Sequence, residues 1–199
     1  MSCTSSAPTS PKEDNAPSPA AGADGPGDIA ESPSEAVEPA PDKKSPLIIS
    51  VYTDLTEDKC TDVEVNEDEG WSVQSCKGFG EYKLEVSEGD LRQSIDVIAP
   101  DGRRHKLNLP TVVSAGFSTI GDKAEWVLRK SDKGQTPIAL IVRYNANEDP
   151  ENPDQVTSYL TVSKITNEGA CVTDVVGPIK NANEKARQLA QGAAAKPCK

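Results

Sequence analysis

Five cysteines are the residues of this sequence with the clearest capacity for chemistry. Cys3 lies near the start, whereas Cys60, Cys76, Cys171 and Cys198 lie in the part of the chain that holds every aromatic residue. Four cysteines can pair in three ways, and sequence proximity favours Cys60–Cys76 and Cys171–Cys198. Disulfides form and persist in oxidising compartments, so this pairing predicts an exported protein.

Two other uses of the four cysteines compete with disulfide formation. Zinc sites with four cysteines are typically built from knuckles, in which only a few residues separate two ligands. The closest pair here, Cys60 and Cys76, is separated by the whole segment 61–75, so we expect no metal site. Free thiols in a cytosolic protein are the alternative that the sequence leaves open.

Cys3 lies in a segment that resembles the start of a processed bacterial lipoprotein. Such proteins begin with a lipidated cysteine and continue as a polar, flexible linker, and Ser2-Cys3-Thr4-Ser5-Ser6 is followed by a long stretch rich in Pro, Ala and Ser. The apolar part of a lipobox does not precede Cys3, so lipidation requires an upstream segment that this sequence lacks. The alternatives are a lipid anchor at Cys3, which is the only membrane attachment we expect, and an incidental cysteine.

The single histidine, His105, restricts the hydrolytic mechanisms that the sequence can support. It follows a predicted turn and is flanked by the basic residues Arg103, Arg104 and Lys106. We therefore expect a solvated residue beside a turn rather than a catalytic base. Neither a Gly-x-Ser-x-Gly elbow nor a phosphate-binding loop is present, so no catalytic or cofactor-binding residue is assigned and no cofactor is expected.

The segment from Asn145 to Asp154 has the spacing of oxygen-bearing side chains with which a calcium-binding loop begins. Oxygen-bearing side chains fall at relative positions 1, 3 and 5, as in an EF-hand. Position 6, which should be glycine, is Pro150, and position 12, which should be glutamate, is Val156. The pattern favours a Pro- and Asn-rich connection between two strands, and whether it binds calcium stays open.

Charge and composition divide the chain into two parts. Net charge is −11, and nine of the 16 prolines but no aromatic residue lie before residue 47. A stretch that cannot bury apolar surface cannot offset the entropy of ordering its backbone. We therefore predict a disordered tether over residues 1–45 and a disulfide-stapled domain over 46–199. The acidic surface argues against nucleic acid as a partner, and the one basic cluster, Arg103, Arg104 and Lys106, is best explained as a solvated hairpin end.

Hydrophobic patterning in the domain predicts an α+β fold that is predominantly antiparallel β, with one C-terminal helix. Alternation of apolar and polar residues marks half-buried strands, as in 82–87. The continuous apolar run Ile138–Val142 indicates a strand that is covered on both sides. Asn181 and Glu184 predict a capping box at the start of an Ala-rich helix over 182–195. Strands are expected at 47–52, 71–76, 82–87, 91–99, 105–109, 124–129, 138–142, 156–165 and 171–176.

From Val51 to Cys198 the chain resembles a group of small exported proteobacterial proteins without assigned activity. The segments that carry the resemblance are Tyr52-Thr53-Asp54-Leu55, Gly89-Asp90-Leu91-Arg92, Ala124-Glu125-Trp126 and Asn181-Ala182-Asn183-Glu184. The resemblance implies an envelope or secreted setting and brings no catalytic residues with it.

Two classes of function follow from these observations. The first is a non-catalytic binding or accessory module of the cell envelope, periplasmic, anchored to the outer membrane or secreted, whose partner is an envelope protein or a cell-wall component. The second is an extracytoplasmic hydrolase that uses carboxylates. A cleft with two carboxyl groups about 5–9 Å apart would favour the hydrolase.

Overall fold

A computed structural model describes residues 46–152 and 154–199. The predicted tether and Cys3 lie outside these residues. The described part is mostly antiparallel β-sheet with one helix near the C-terminus, which confirms the predicted fold class. No helix within the described ranges is long and apolar enough to cross a membrane. The elements are β1 (Leu47–Asp54), β2 (Cys60–Asn66), β3 (Trp71–Lys77), β4 (Lys83–Gly89), β5 (Arg92–Ile98), β6 (Arg104–Lys106), α1 (Leu109–Val112), β7 (Phe117–Ser131), β8 (Gly134–Asn147), β9 (Val156–Thr166), β10 (Gly169–Val176) and α2 (Ala182–Gln191).

All ten strands belong to one sheet with the order β10-β9-β8-β7-β5-β4-β3-β2, and β1 and β6 pair with β7 and β5. The long strand β7 joins two halves of this sheet. Its start meets β5 through the parallel pair Arg92 and Ser118, and its second half pairs with the whole of β1. Gln93 extends the first contact, because its Oε1 accepts the backbone N–H of Ile120 at 2.8 Å.

Apolar side chains on the two faces of β7 and β8 enter different cores. Trp126, Leu140 and Val142 pack with apolar residues of β4 and β5 in the main core. Val127 and Ile141 point to the opposite face and pack beneath α2. The strand that contains the run Ile138–Val142 is therefore covered on both sides, as its composition predicts.

Helix α2 contributes a narrow apolar face made largely of alanine. Ala186 and Ala190 of α2 and Ala193 of the turn that follows it are almost fully buried, and Leu189 packs partly against the same core. The predicted capping box is wrong, because the Asn181 side chain makes no cap hydrogen bond and its backbone is left-handed at φ 65°. The helix also ends earlier than predicted, at Gln191, and a separate 3₁₀ turn follows Gly192.

Two sequence-based assignments of strands are corrected by the structure. Cys60 to Asn66 forms strand β2, a segment where no strand is expected from the sequence. This strand pairs only with β3 and is exposed along most of its length, so it lacks the half-buried alternation by which strands are recognised. Leu91 does not share the buried face of Ile95 and Val97, since it lies in the turn between β4 and β5.

The described residues contain two disulfides, and these join the pairs that sequence proximity favours. Cys60 and Cys76 are direct cross-strand partners in the β2–β3 hairpin, with their Cα atoms 4.3 Å apart. Cys171 of β10 is bonded to Cys198, which follows α2. Disulfides persist where the surroundings are oxidising, which indicates a non-cytoplasmic compartment.

Candidate functional site

An open cleft of about 940 Å³ lies on the face of the sheet that α2 covers only in part. It is bordered by β1, β3 and β4, by the irregular stretch of β7 between Ile120 and Ala124, and by the start of α2. Ligand pockets of small molecules have volumes of this order. The lining is dominated by amide, hydroxyl and charged side chains, so the cleft suits a polar, hydrated ligand.

One wall of the cleft is organised by the buried carboxylate of Glu125. Its Oε1 accepts hydrogen bonds from Ser50 Oγ and from Arg187 Nε, both at 2.6 Å, and Oε2 accepts one from Arg187 Nη2 at 3.1 Å. Arg187 Nη2 also donates to the Tyr52 hydroxyl at 2.7 Å. Burial raises the pKa of Glu125, but the hydrogen bonds from Arg187 and Ser50 outweigh burial, and the net pKa is lowered. Glu125 is therefore an ionised structural acceptor and not a proton donor at neutral pH.

The Glu125–Arg187 pair should make stability depend on pH. The pKa of Glu125 is lowered from 4.5 on folding. The ionised carboxylate therefore stabilises the folded protein above pH 4.5, and this stabilisation is lost as the pH falls below 4.5. We expect Glu125→Gln to lower the free energy of unfolding by about 2 kcal/mol at pH 7. This figure lies below that of a fully buried pair, because the Arg187 side chain is 41% exposed.

Urea denaturation of both proteins at pH 7 and at pH 3 measures this effect. The difference between wild type and Glu125→Gln should shrink as the Glu125 carboxylate becomes protonated. A difference that is equal at both pH values would show that the variant disturbs packing rather than the ion pair. Glu184→Gln, a substitution at an exposed position of α2, is the matched control and should change stability little at either pH.

Arg143 of β8 lines the cleft and is half-buried. Its Nη1 donates to Ser158 Oγ at 2.7 Å, and its Nη2 donates to Asn183 Oδ1 at 3.3 Å. Gly121 makes room for its stem, because a Cβ at Gly121 would lie 2.8 Å from the Cβ of Arg143. Within the described ranges no carboxylate oxygen lies within 4.0 Å of this guanidinium. Arg143 thus presents a positive charge that only neutral groups hold in place.

Carboxylates also line the cleft. Glu57, Glu88 and Asp122 join Glu125 there, so the cleft contains the residue type that the hydrolase alternative requires. Glu88 accepts a hydrogen bond from the Gln93 side chain at 2.7 Å. These acids come from β4, β7 and the 3₁₀ turn after β1, so their proximity arises only from the tertiary fold.

The sequence-predicted candidates lie elsewhere. His105 of β6 is only half-exposed, and a Cβ at Gly169 would lie 3.0 Å from its ring. Arg103 is bound to Asp101 and donates to the Asn167 carbonyl at 3.0 Å, and Arg104 pairs with Glu85. Much of the charge of the basic cluster is therefore balanced by the protein's own acids, in agreement with a hairpin end.

The segment from Asn145 to Asp154 forms the end of β8 and the connection to β9. Its polar groups bind one another: Asn147 Nδ2 donates to the Asn152 carbonyl at 2.7 Å, and Asp149 Oδ1 accepts the Glu151 N–H at 3.1 Å. Among the residues that the structure describes, no group of three or more His, Cys, Asp or Glu side chains is arranged to hold a metal ion.

Sequence reasoning missed the cleft because its residues are scattered. Arg143, Ser158 and Asn183 are 15 or more positions apart and carry no motif. One signal was available: Arg143 and Asn145 follow a buried apolar run in β8 and place polar groups on a face that is otherwise apolar. Comparison with protein-family models, with curated proteins and with solved structures found no match to this chain.

Proposed function

We propose that this protein is a non-catalytic binding module of the cell envelope that holds a cell-wall component in the cleft around Arg143. The observation that carries the proposal is the half-buried guanidinium of Arg143, whose partners are the neutral groups of Ser158 and Asn183. A positive charge held in this way can bind a carboxylate through charge-assisted hydrogen bonds. Amide and hydroxyl groups around it suit the hydroxyl and acetamido groups of a glycan.

The same proposal includes a location for the domain in the cell envelope. The disulfides point to an oxidising setting, and a lipidated Cys3 would anchor the domain in the envelope, at the periplasmic face of a membrane. The tether that the sequence predicts over residues 1–45 would raise the local concentration of the binding module near this anchor. Intact-mass spectrometry of protein purified from envelope membranes tests the anchor, since diacylglyceryl or acyl groups on Cys3 add mass to the N-terminal peptide.

Isothermal titration with a soluble disaccharide-tetrapeptide muropeptide tests the binding proposal. We expect binding by the wild type, and a loss of at least about 10-fold in affinity for Arg143→Gln, since a charged hydrogen bond of this kind is worth more than about 1.4 kcal/mol. Amidation of the ligand's carboxylates should cause a similar loss. Arg129→Gln changes an exposed arginine outside the cleft lining and should leave affinity unchanged.

The second candidate is hydrolysis by the carboxylates that line the cleft. Glu57, Glu88 and Asp122 favour it by their presence there, whereas the paired state of Glu125 removes the most buried acid from use as a proton donor. Mass spectrometry of the muropeptide after incubation separates the candidates. Cleavage that is lost in Asp122→Asn or Glu57→Gln, with folding intact, would replace the binding proposal with the hydrolase.

A further inference from the structure

The turn between β4 and β5 contains a leucine in a conformation that leucine rarely adopts. The two residues of this hairpin, Asp90 and Leu91, have φ values of 51° and 58°. Two-residue hairpins of this kind favour Asn and Gly. Most residues are strained when their backbone φ is positive, and Asn, Asp and Gly tolerate a positive φ best. The conformation of Leu91 is held in place, since its carbonyl accepts the Ser118 N–H at 2.9 Å and Arg92 binds the Asp90 carboxylate.

Burial does not compensate for this strain, because Leu91 is 66% exposed. Its side chain borders a shallow apolar depression together with Phe117 at the start of β7 and Val156 at the start of β9. Phe117 is 42% and Val156 is 55% exposed. We call these three residues the apolar tip. A persistent strained conformation that gains no burial is the kind of feature that marks a functional position.

Acidic residues lie next to the apolar tip, at its border and in the chain before Val156. Glu88 borders the depression, and the connection that leads into Val156 carries Glu148, Asp149, Glu151 and Asp154. Glu88 and Glu148 accept hydrogen bonds from the neutral side chains of Gln93 and Tyr159, so these bonds do not neutralise them. Arg92 lies over the Phe117 ring at 5.2 Å, and its charge is paired with the Asp90 carboxylate.

We infer that the apolar tip is a docking surface for a segment of another protein that presents a large apolar side chain flanked by lysine or arginine. Binding hot spots combine a central apolar anchor with a rim of complementary charge. The apolar tip supplies the anchor site, and the acids of Glu88 and of the β8–β9 connection supply the negative rim. This inference does not depend on ligand binding at Arg143.

Selection from a phage-displayed library of random dodecapeptides on the full-length protein tests the inference. We expect enrichment of peptides with an aromatic or aliphatic residue between basic residues. A synthetic copy of the most enriched peptide should bind wild type at least about 10-fold more tightly than Leu91→Asn in fluorescence anisotropy, and binding should weaken as salt is raised. Enrichment of acidic peptides, no enrichment, or equal affinity for both proteins would overturn the inference.

The same variant separates a role in binding from a role in folding. Because Asn suits this turn better than Leu, Leu91→Asn should raise Tm by about 3 °C while binding falls. A lower Tm would show that Leu91 serves the fold and would contradict the inference. So would a concentration-dependent dimer of the wild type that Leu91→Asn abolishes, since a second copy would then occupy the tip.

Matched substitutions locate the surface. Val156→Thr should weaken peptide binding several-fold, whereas Val63→Thr, at an equally exposed valine of β2, should leave it unchanged. Arg143→Gln should also leave peptide binding unchanged, so that failure of the cleft proposal and failure of this inference are distinguished. Loss of binding with Val63→Thr or Arg143→Gln would place the contact outside the apolar tip.

Discussion

Trp126→Ala should cause the largest loss of stability of any substitution considered, about 4 kcal/mol, which corresponds to a fall in Tm of about 12 °C. Trp126 is fully buried where β7 meets β1 and the connection between β3 and β4. Its Nε1 donates to Thr53 Oγ1 of β1 at 3.0 Å, and its ring centroid lies 5.6 Å from that of Tyr82. Gly78 leaves room for the Trp126 indole, since a Cβ at Gly78 would lie 2.9 Å from the indole ring.

The chain contains its own control, because Trp71 is the only other tryptophan. The Trp71 indole lies near the tip of the β2–β3 hairpin and donates to Glu69 Oε2 at 2.9 Å, outside both cores. Trp71→Ala should therefore change the free energy of unfolding by only about 0.5 kcal/mol. Guanidinium denaturation followed by circular dichroism measures both variants. Similar losses for the two would contradict the assignment of Trp126 as the centre of the main core.

Removal of the Cys171–Cys198 disulfide is expected to have the second largest effect. The bond joins residues 27 positions apart, and restriction of the unfolded chain by a loop of this size is worth about 3.5 kcal/mol in the chain-entropy model. Cys171→Ser with Cys198→Ser should therefore lower Tm by about 10 °C. Helix α2 should be affected first, because its buried face is mostly alanine and buries little apolar area per residue.

Native-state hydrogen exchange shows where the loss occurs. Amides of α2 should exchange faster in this double variant, whereas amides of β4 and β5 should keep most of their protection. Cys60→Ser with Cys76→Ser is the matched control, with an expected loss of about 3 kcal/mol and no selective effect on α2. Unchanged protection in α2 would mean that contacts such as Lys196 with Asp174 at 2.7 Å hold the C-terminal segment without the disulfide.

Sequence alone determined the local and periodic features of this protein. The apolar run at Ile138–Val142 predicted a doubly covered strand, and the alternation at 82–87 predicted a half-buried one, because each pattern reflects burial along a single strand. Proximity in sequence was sufficient for the cysteine pairs, because each pair joins elements that are neighbours in the chain or close to it. The Ala-rich composition of α2 could likewise be recognised in the sequence, because it is a property of a single element.

Tertiary structure alone decided the cleft and the apolar tip. Arg143 becomes part of a site only where Gly121, Ser158 and Asn183 surround it. The pKa of Glu125 is lowered by hydrogen bonds from Arg187 and Ser50, which are 62 and 75 positions away. Leu91 matched the alternation of a strand, but a two-residue hairpin placed it at an exposed position with positive φ. These properties depend on which distant residues meet, and contacts between distant residues leave no periodic trace in a sequence.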